Sequence, residues 1–168
     1  MPGPSLCLLL LATCAETTAS KMGASPSDAA PLPECAIPRA PENIAIDGDL
    51  AEDAWAATPV IDQFSFPWWT QGAKDRTEAR LLWDDDYLYV GFTAFDPHIS
   101  AVLTERDSPV SRDDCVEIFI APDTSAVHNY YNFEFNALGT ILDRSPKMNR
   151  SSKWNADKIK VAVAIAGT

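Results

Sequence analysis

Apolar and polar residues alternate with a period of two along much of the chain, and this pattern predicts strands rather than long helices. Strands are predicted at 59–64, 77–84, 87–96, 115–120, 131–137 and 159–165. The one helical feature is a short turn in IDGDLAEDAW at 46–55, with Asp49 as its predicted N-cap. Short strands separated by turn residues predict an all-β fold, an antiparallel β-sandwich of the jelly-roll or immunoglobulin-like type.

Two of these strands carry carboxylate and amide side chains among apolar residues. Because side chains alternate along a strand, Val116 and Ile118 point to the core while Glu117 points away from it. The next strand places three polar residues on its outward face: Asn132, Glu134 and Asn136. If the strands pair, these groups form one polar row, which suits a ligand rich in hydroxyl groups. The alternative is the ordinary solvent-facing side of a sheet.

Aromatic residues in the loop FPWWTQG offer a complement to this row. We predict Trp68 and Trp69 as platforms on which a sugar ring could stack, with packing of the loop against the protein as the alternative.

The first part of the chain has a different composition from the rest. SLCLLLLATCA at 5–15 has the length of a signal-peptide core, although no basic residue precedes Lys21. We predict a signal peptide at 1–20. Within it, LATC also fits a lipoprotein cleavage box with Cys14 as the lipidated residue. We predict a disordered linker rich in Ala, Ser and Pro at 21–42. The predicted location is periplasmic, on the outer membrane as a lipoprotein, or extracellular.

The net charge of -11 argues against nucleic acid as a partner, because such a surface repels phosphate. In an oxidising compartment Cys35 and Cys115 could form a disulfide, or they could be unrelated thiols.

Several motifs, taken in order, resemble carbohydrate-binding module family 9 and its relatives over about residues 43–168. They are IDGDLAEDAW, ARLLWDDDYLYVGFTAFDP, RDDCVEIFIAP, YYNFEFNALGT and VAVAIAGT. The resemblance implies an antiparallel β-sandwich that binds oligosaccharide or polysaccharide without cleaving it, in an exported protein that assists glycoside hydrolysis. It also implies that Glu117 contacts the sugar, and that calcium is structural in some members.

The chain departs from this family at two sugar contacts. A basic residue of the family corresponds to Glu134 here, and the stacking tryptophan falls in PVSRDD at 109–114, where Ser111 is the nearest match. A second stacking tryptophan would lie beyond Thr168, where we also expect further strands, since the last predicted strand would otherwise leave an uncovered edge.

Two other functions stay open from the sequence alone. One is an interaction or accessory domain of a cell-envelope protein that binds no small ligand. The other is a haem-binding domain of the related DOMON type, for which His128 and Met148 are candidate axial ligands. We predict no catalytic residue and no required cofactor, and the aspartate clusters at 47–53, 84–86 and 113–114 are the only candidates for calcium.

Overall fold

The strands of this protein form two antiparallel sheets. The computed structural model describes residues 34–65, 69–123, 125–126, 128–145 and 154–167, and the backbone of 5–6. The strands are β1 (Ser5–Leu6), β2 (Thr77–Trp83), β3 (Leu88–Phe95), β4 (Cys115–Ile120), β5 (Tyr131–Asn136) and β6 (Ile141–Arg144). One short helix, α1 (Asp53–Ala56), precedes β2, and a 3-10 turn spans Val110–Arg112.

The first sheet has the order β1-β3-β2 and the second the order β4-β5-β6, with antiparallel pairing throughout. In the second sheet Val116 lies opposite Phe135 and Ile118 opposite Phe133, so the apolar residues of β4 and β5 share one face. That face packs towards Ala79 and Val90 of the first sheet. The all-β sandwich predicted from the alternation is therefore confirmed.

The space between the two sheets is only partly filled by side chains. A cavity of about 740 Å³ lies there, lined by both inner faces and by the segment 154–167. Trp154 packs against Tyr131 and Phe133, with ring centroids 5.5 and 6.2 Å away. On the other face of the first sheet, a separate core forms around Trp55, Leu82 and Tyr89.

Three predicted elements differ from the structure. The region 59–64 contributes a single bridge, between Ile61 and Ala79, instead of a strand. The region 159–165 forms no strand, because no described strand supplies a ladder beside it, and its Val163 and Ile165 are exposed. The helix begins at Asp53, and its N-cap is Glu52 and not the predicted Asp49. Asp49 belongs to the preceding turn, where its backbone N–H donates to the Asp47 carboxylate at 2.9 Å.

The packed part of the chain begins before the boundary at 43 that composition indicated. Ala40 donates to the carbonyl of Trp83 at 2.8 Å, and Trp83 donates to the carbonyl of Pro38 at 3.2 Å. Ala40 is buried with Ile44 and Trp55, so the end of the predicted linker 21–42 is part of the fold. Cys14 and the linker up to residue 33 lie outside the described residues. No helix in the described part of the chain has the length and apolarity needed to cross a membrane.

Candidate functional site on the outer face of the second sheet

The polar row predicted from β4 and β5 is present in the structure. Glu117 lies directly opposite Glu134, Phe119 opposite Asn132, and Cys115 opposite Asn136. Directly paired residues of an antiparallel ladder project to the same side, so these side chains share the face that points away from the other sheet. We call this surface the outer face. The strand β6 adds Arg144 to it, opposite Asn132.

The row is buried, which neither a solvated sheet face nor an open binding surface would predict. Asn132, Glu134 and Asn136 are 3%, 4% and 2% exposed. The covering element is the segment 99–114, whose 3-10 turn contacts β5 and β4. Its Val110 is fully buried, and the backbone N–H of Ser111 donates to Glu134. The period of two gave the correct face but carries no information about what lies over it.

Asn136 has no hydrogen-bonding position left for a ligand. Its amide nitrogen donates to the carbonyl of Leu103 at 2.7 Å and to Asp113 Oδ2 at 2.8 Å. Its amide oxygen accepts the backbone N–H groups of Leu138 at 3.0 Å and Thr140 at 2.9 Å. Both donors and both acceptor positions are therefore used, and the residue ties the covering segment to the β5–β6 turn.

Asp113 belongs to the covering segment and joins its two ends. Its Oδ2 accepts the backbone N–H groups of Val102 at 3.1 Å and Leu103 at 3.0 Å as well as the Asn136 amide. These bonds, first of all the one from Leu103, lower the pKa of Asp113 because they stabilise its charged form.

Glu117 and Asn132 form a hydrogen-bonded pair in which Asn132 is buried and Glu117 is partly exposed. Asn132 Nδ2 donates to Glu117 Oε1 at 2.7 Å, which fixes the orientation of both side chains. Glu117 is only partly buried, so part of this side chain lies within reach of a ligand. A carboxylate held in one orientation by an amide is a suitable acceptor for a hydroxyl group.

Glu134 and Arg144 leave polar atoms without partners beside this pair. Arg144 Nη1 lies 3.6 Å from Glu134 Oε1, an ion pair that is longer than a good hydrogen bond. Glu134 Oε2 and Arg144 Nε are buried and have no hydrogen-bond partner in the described part of the chain. Such orphaned groups are rare in folded proteins and call for a ligand or an ordered water.

The pKa of Glu134 is raised. Burial is the main cause, because desolvation disfavours the carboxylate, and the negative charge of Glu117 adds to it. Arg144 and the Ser111 N–H act in the opposite direction but do not cancel the effect.

The two described cysteines are free thiols, so the alternative of a Cys35–Cys115 disulfide is not realised in the structure. Burial raises the pKa of Cys115 to about 12, and the charges of Glu134 and Glu117 add to the shift. Cys115 is therefore a protonated side chain of the outer face and not a reactive thiolate.

The predicted aromatic platforms are not gathered at the row by any contact of the described residues. Trp69 is 45% exposed and donates from Nε1 to the carbonyl of Gly72 at 3.2 Å, within its own loop. Trp68 lies outside the described residues. Their role in stacking stays a prediction.

The sequence reasoning missed three residues of the outer face. Arg144 was missed because its strand, ILDR, is too short to show alternation. The same strand contains a charged residue, Asp143, that is fully buried, which also hides the pattern. Phe119 and Tyr130 form an edge-to-face aromatic pair with centroids 4.9 Å apart. Phe119 could have been found, since the period of two already placed it beside Glu117.

The aspartate clusters serve the backbone where the structure describes them. Asp84 Oδ1 accepts the N–H groups of Asp86 at 2.8 Å and Tyr87 at 2.7 Å, and Asp114 Oδ2 accepts that of Ser100 at 2.6 Å. No group of three or more His, Cys, Asp or Glu side chains suited to a metal occurs among the described residues. We therefore derive no role for calcium from the described residues. Of the predicted haem ligands, His128 is exposed and Met148 lies outside the described residues.

Comparison with known proteins agrees with this architecture. The profile described as "Carbohydrate family 9 binding domain-like" matches residues 46–167, from the turn before α1 to the end of the described chain. No curated protein and no solved structure gives a match. The profile covers well over half of the 168 residues. The chain therefore belongs to the carbohydrate family 9 binding domain-like family.

Proposed function

We propose that the protein binds a glycan at the outer face of the second sheet, where the covering segment 99–114 leaves Glu117 accessible. The observation that carries the proposal is the pair of buried, unpartnered atoms, Glu134 Oε2 and Arg144 Nε, next to the oriented pair of Glu117 and Asn132. A hydroxyl group both donates and accepts, so one hydroxyl can satisfy an unpartnered carboxylate oxygen and an unpartnered guanidinium N–H together.

Each side chain then has a distinct role. Glu117 accepts hydrogen bonds from sugar hydroxyls, and Asn132 holds Glu117 in place through its 2.7 Å bond. Glu134 Oε2 accepts a hydrogen bond from a sugar hydroxyl, and Arg144 Nε donates a hydrogen bond to a sugar oxygen. Asn136 does not contact the sugar; its hydrogen bonds to Leu103 and Asp113 hold the covering segment in place. Trp68 and Trp69 belong to the proposal only as candidates for stacking.

The charges of the site favour a neutral sugar. Glu117 and Glu134 face each other across the ladder, Arg144 forms an ion pair with Glu134, and the whole chain carries a net charge of -11. A uronate or sulfate group would be repelled both at the site and on approach to it. The proposed ligand class is therefore a neutral, hydroxyl-rich polysaccharide.

We further propose that the protein is an exported, non-catalytic module. A module of this kind would keep an associated glycoside hydrolase close to its polysaccharide and raise the local concentration of enzyme at the substrate. Support comes from family membership and from the apolar run at 5–15, which has the length of a signal-peptide core.

The test is a calorimetric titration of the protein with xylo-, cello- and manno-oligosaccharides. We expect saturable binding to at least one of these series, reduced by about tenfold or more in Glu117→Gln, since a charged acceptor contributes more than a neutral one. The exposed Glu42→Gln is the matched control and should bind like the unmodified protein. Folded protein that binds no member of the three series, or that binds equally well after Glu117→Gln, would overturn the proposal in favour of an interaction domain.

A further inference from the structure

An aromatic pair lies on the outer face beside the oriented carboxylate. Phe119 is directly opposite Asn132 in the ladder, and Asn132 is the residue that donates to Glu117. Tyr130 precedes the first residue of β5 and packs on Phe119 edge-to-face, with centroids 4.9 Å apart and the ring planes at 82°. Glu117 and the two rings thus neighbour one another on the outer face, beside the buried Asn132.

The spacing suits a single sugar ring. Phe119 follows Glu117 by two residues on the same strand, which places their Cα atoms roughly 6.5–7 Å apart along the face. A pyranose ring laid on an aromatic side chain at Phe119 would therefore bring its rim hydroxyls to the Glu117 carboxylate. Strands hold this spacing rigidly, in contrast to the loop that carries Trp69.

The pair is also within reach of a ligand. Tyr130 is 37% exposed and Phe119 is partly exposed, so part of each side chain lies open to solvent. In the edge-to-face arrangement each ring keeps at least one face clear of the other ring. The segment 109–114, which covers the deeper part of the row, contributes no aromatic residue, so no ring from it competes for this position.

We propose that Phe119 and Tyr130 form the stacking platform for the sugar ring that Glu117, oriented by Asn132, holds by hydrogen bonds. The C–H groups of one pyranose face pack on the negatively polarised face of the aromatic ring, while the hydroxyls at the rim reach the polar pair. This inference rests on the proposed glycan site and assigns its apolar half. It places the stacking residues on strand β4 and at the start of β5, away from the loop of Trp69.

The experiment measures affinity and stability together for three variants against the neutral oligosaccharide that binds best in calorimetry. Tyr130→Ala removes the exposed ring and Phe119→Leu replaces the other ring with an aliphatic side chain. Tyr130→Phe keeps the ring and removes only the hydroxyl. We expect Tyr130→Ala and Phe119→Leu each to weaken binding by about tenfold, and Tyr130→Phe to stay within about twofold of the unmodified protein.

A urea unfolding curve for each variant separates stacking from a merely structural role. Tyr130→Ala should unfold at nearly the same urea concentration as the unmodified protein, because exposed side chains contribute little to stability. If Phe119→Leu proves unstable, Tyr130→Ala alone decides the question. A change of stability with unchanged affinity would show that the pair only covers the end of the sheet, and would overturn the inference.

The outcomes distinguish this inference from the proposed function on which it rests. Binding that is lost in Glu117→Gln but kept in both Tyr130→Ala and Phe119→Leu leaves the glycan site standing and removes the platform from it. Absence of binding by the unmodified protein removes both. Binding lost in Tyr130→Ala and restored in Tyr130→Phe supports both.

Discussion

At the scale of single residues, Asn136 is the clearest case of a polar side chain whose work is structural. Its amide makes four hydrogen bonds beneath the covering segment, two of them to the carbonyl of Leu103 and the carboxylate of Asp113. We expect Asn136→Ala to lower the free energy of unfolding by about 2–4 kcal/mol, because several buried groups lose their partner at once. Urea unfolding measures this, with the exposed Asn43→Ala as control. Equal stability of the two variants would contradict the structural role.

Glu134 predicts a pH dependence at the same scale. Its folded pKa is raised, so the folded protein holds the proton more tightly than the unfolded chain does. The contribution of this group to stability is therefore fully present below its unfolded pKa of about 4.3 and is lost as pH rises through the folded pKa. Glu134→Gln stays neutral throughout. Its free energy of unfolding, taken relative to the unmodified protein, should increase between about pH 4 and pH 7.

The measurement for Glu134 is a set of urea unfolding curves at several pH values for the two proteins. Taking the difference removes the contributions of Asp84, Asp113 and Asp123, whose lowered pKa values act in the opposite direction. The exposed Glu42→Gln serves as a control for the Glu-to-Gln change itself. A flat difference for Glu134→Gln would mean that the carboxyl is not desolvated in solution.

At the scale of elements, the turn before α1 and the segment 154–167 meet at a glycine. Gly48 has a φ of +87°, and a Cβ there would lie 2.7 Å from the Ala164 nitrogen and 2.8 Å from the Val163 carbonyl carbon. Gly72 has a similar φ of +90° but meets only Trp69, at 3.9 Å. Both alanine variants carry the left-handed backbone penalty of about 1–2 kcal/mol.

Gly48→Ala must in addition displace the segment 154–167, so we expect it to be less stable than Gly72→Ala by about 1–3 kcal/mol in urea unfolding. Hydrogen exchange should rise in 154–167 for Gly48→Ala alone, since only this variant collides with that backbone. Equal losses in the two variants would show that the segment does not pack against the turn.

The strands themselves show how far a sequence determines elements. The alternation of apolar and polar residues predicted the strands β2 to β5. It also predicted the correct face for the polar row of β4 and β5, because the pleat alone sets which side a residue occupies. It failed for 159–165, where the pattern is present but a partner strand is required as well. Alternation also failed to predict β6. Its Asp143 can be buried because two groups donate hydrogen bonds to its carboxylate: Arg106 at 2.8 Å and the Ala156 N–H at 2.6 Å. Those partners are distant in sequence, and no local pattern contains them.

At the scale of the whole molecule, the candidate site depends on how a loop folds over a sheet. Sequence reasoning found Glu117, Asn132 and Glu134 as one row, and the ladder brings them together. It could not show that the segment 99–114 covers the row, that Asn136 is thereby fully bonded, or that Arg144 arrives from β6. The cover converts an open polar face into a site with a buried and an accessible part, and that difference decides which residues are free to bind.

The charge of the molecule gives the last prediction. With a net charge of -11 and two facing carboxylates at the site, an anionic glycan meets repulsion at long range and at contact. We expect xylo-oligosaccharides without uronic-acid substituents to bind at least about tenfold more tightly than the same oligosaccharides that carry them. Affinity for the neutral series should change by less than about twofold between 0.05 and 0.5 M salt, because hydrogen bonds and stacking to an uncharged ligand are not screened. For the substituted series affinity should recover as salt rises. Calorimetry at the two salt concentrations tests both statements, and tighter binding of the uronate-bearing series at low salt would show that Arg144, and not the pair of carboxylates, controls the choice of ligand.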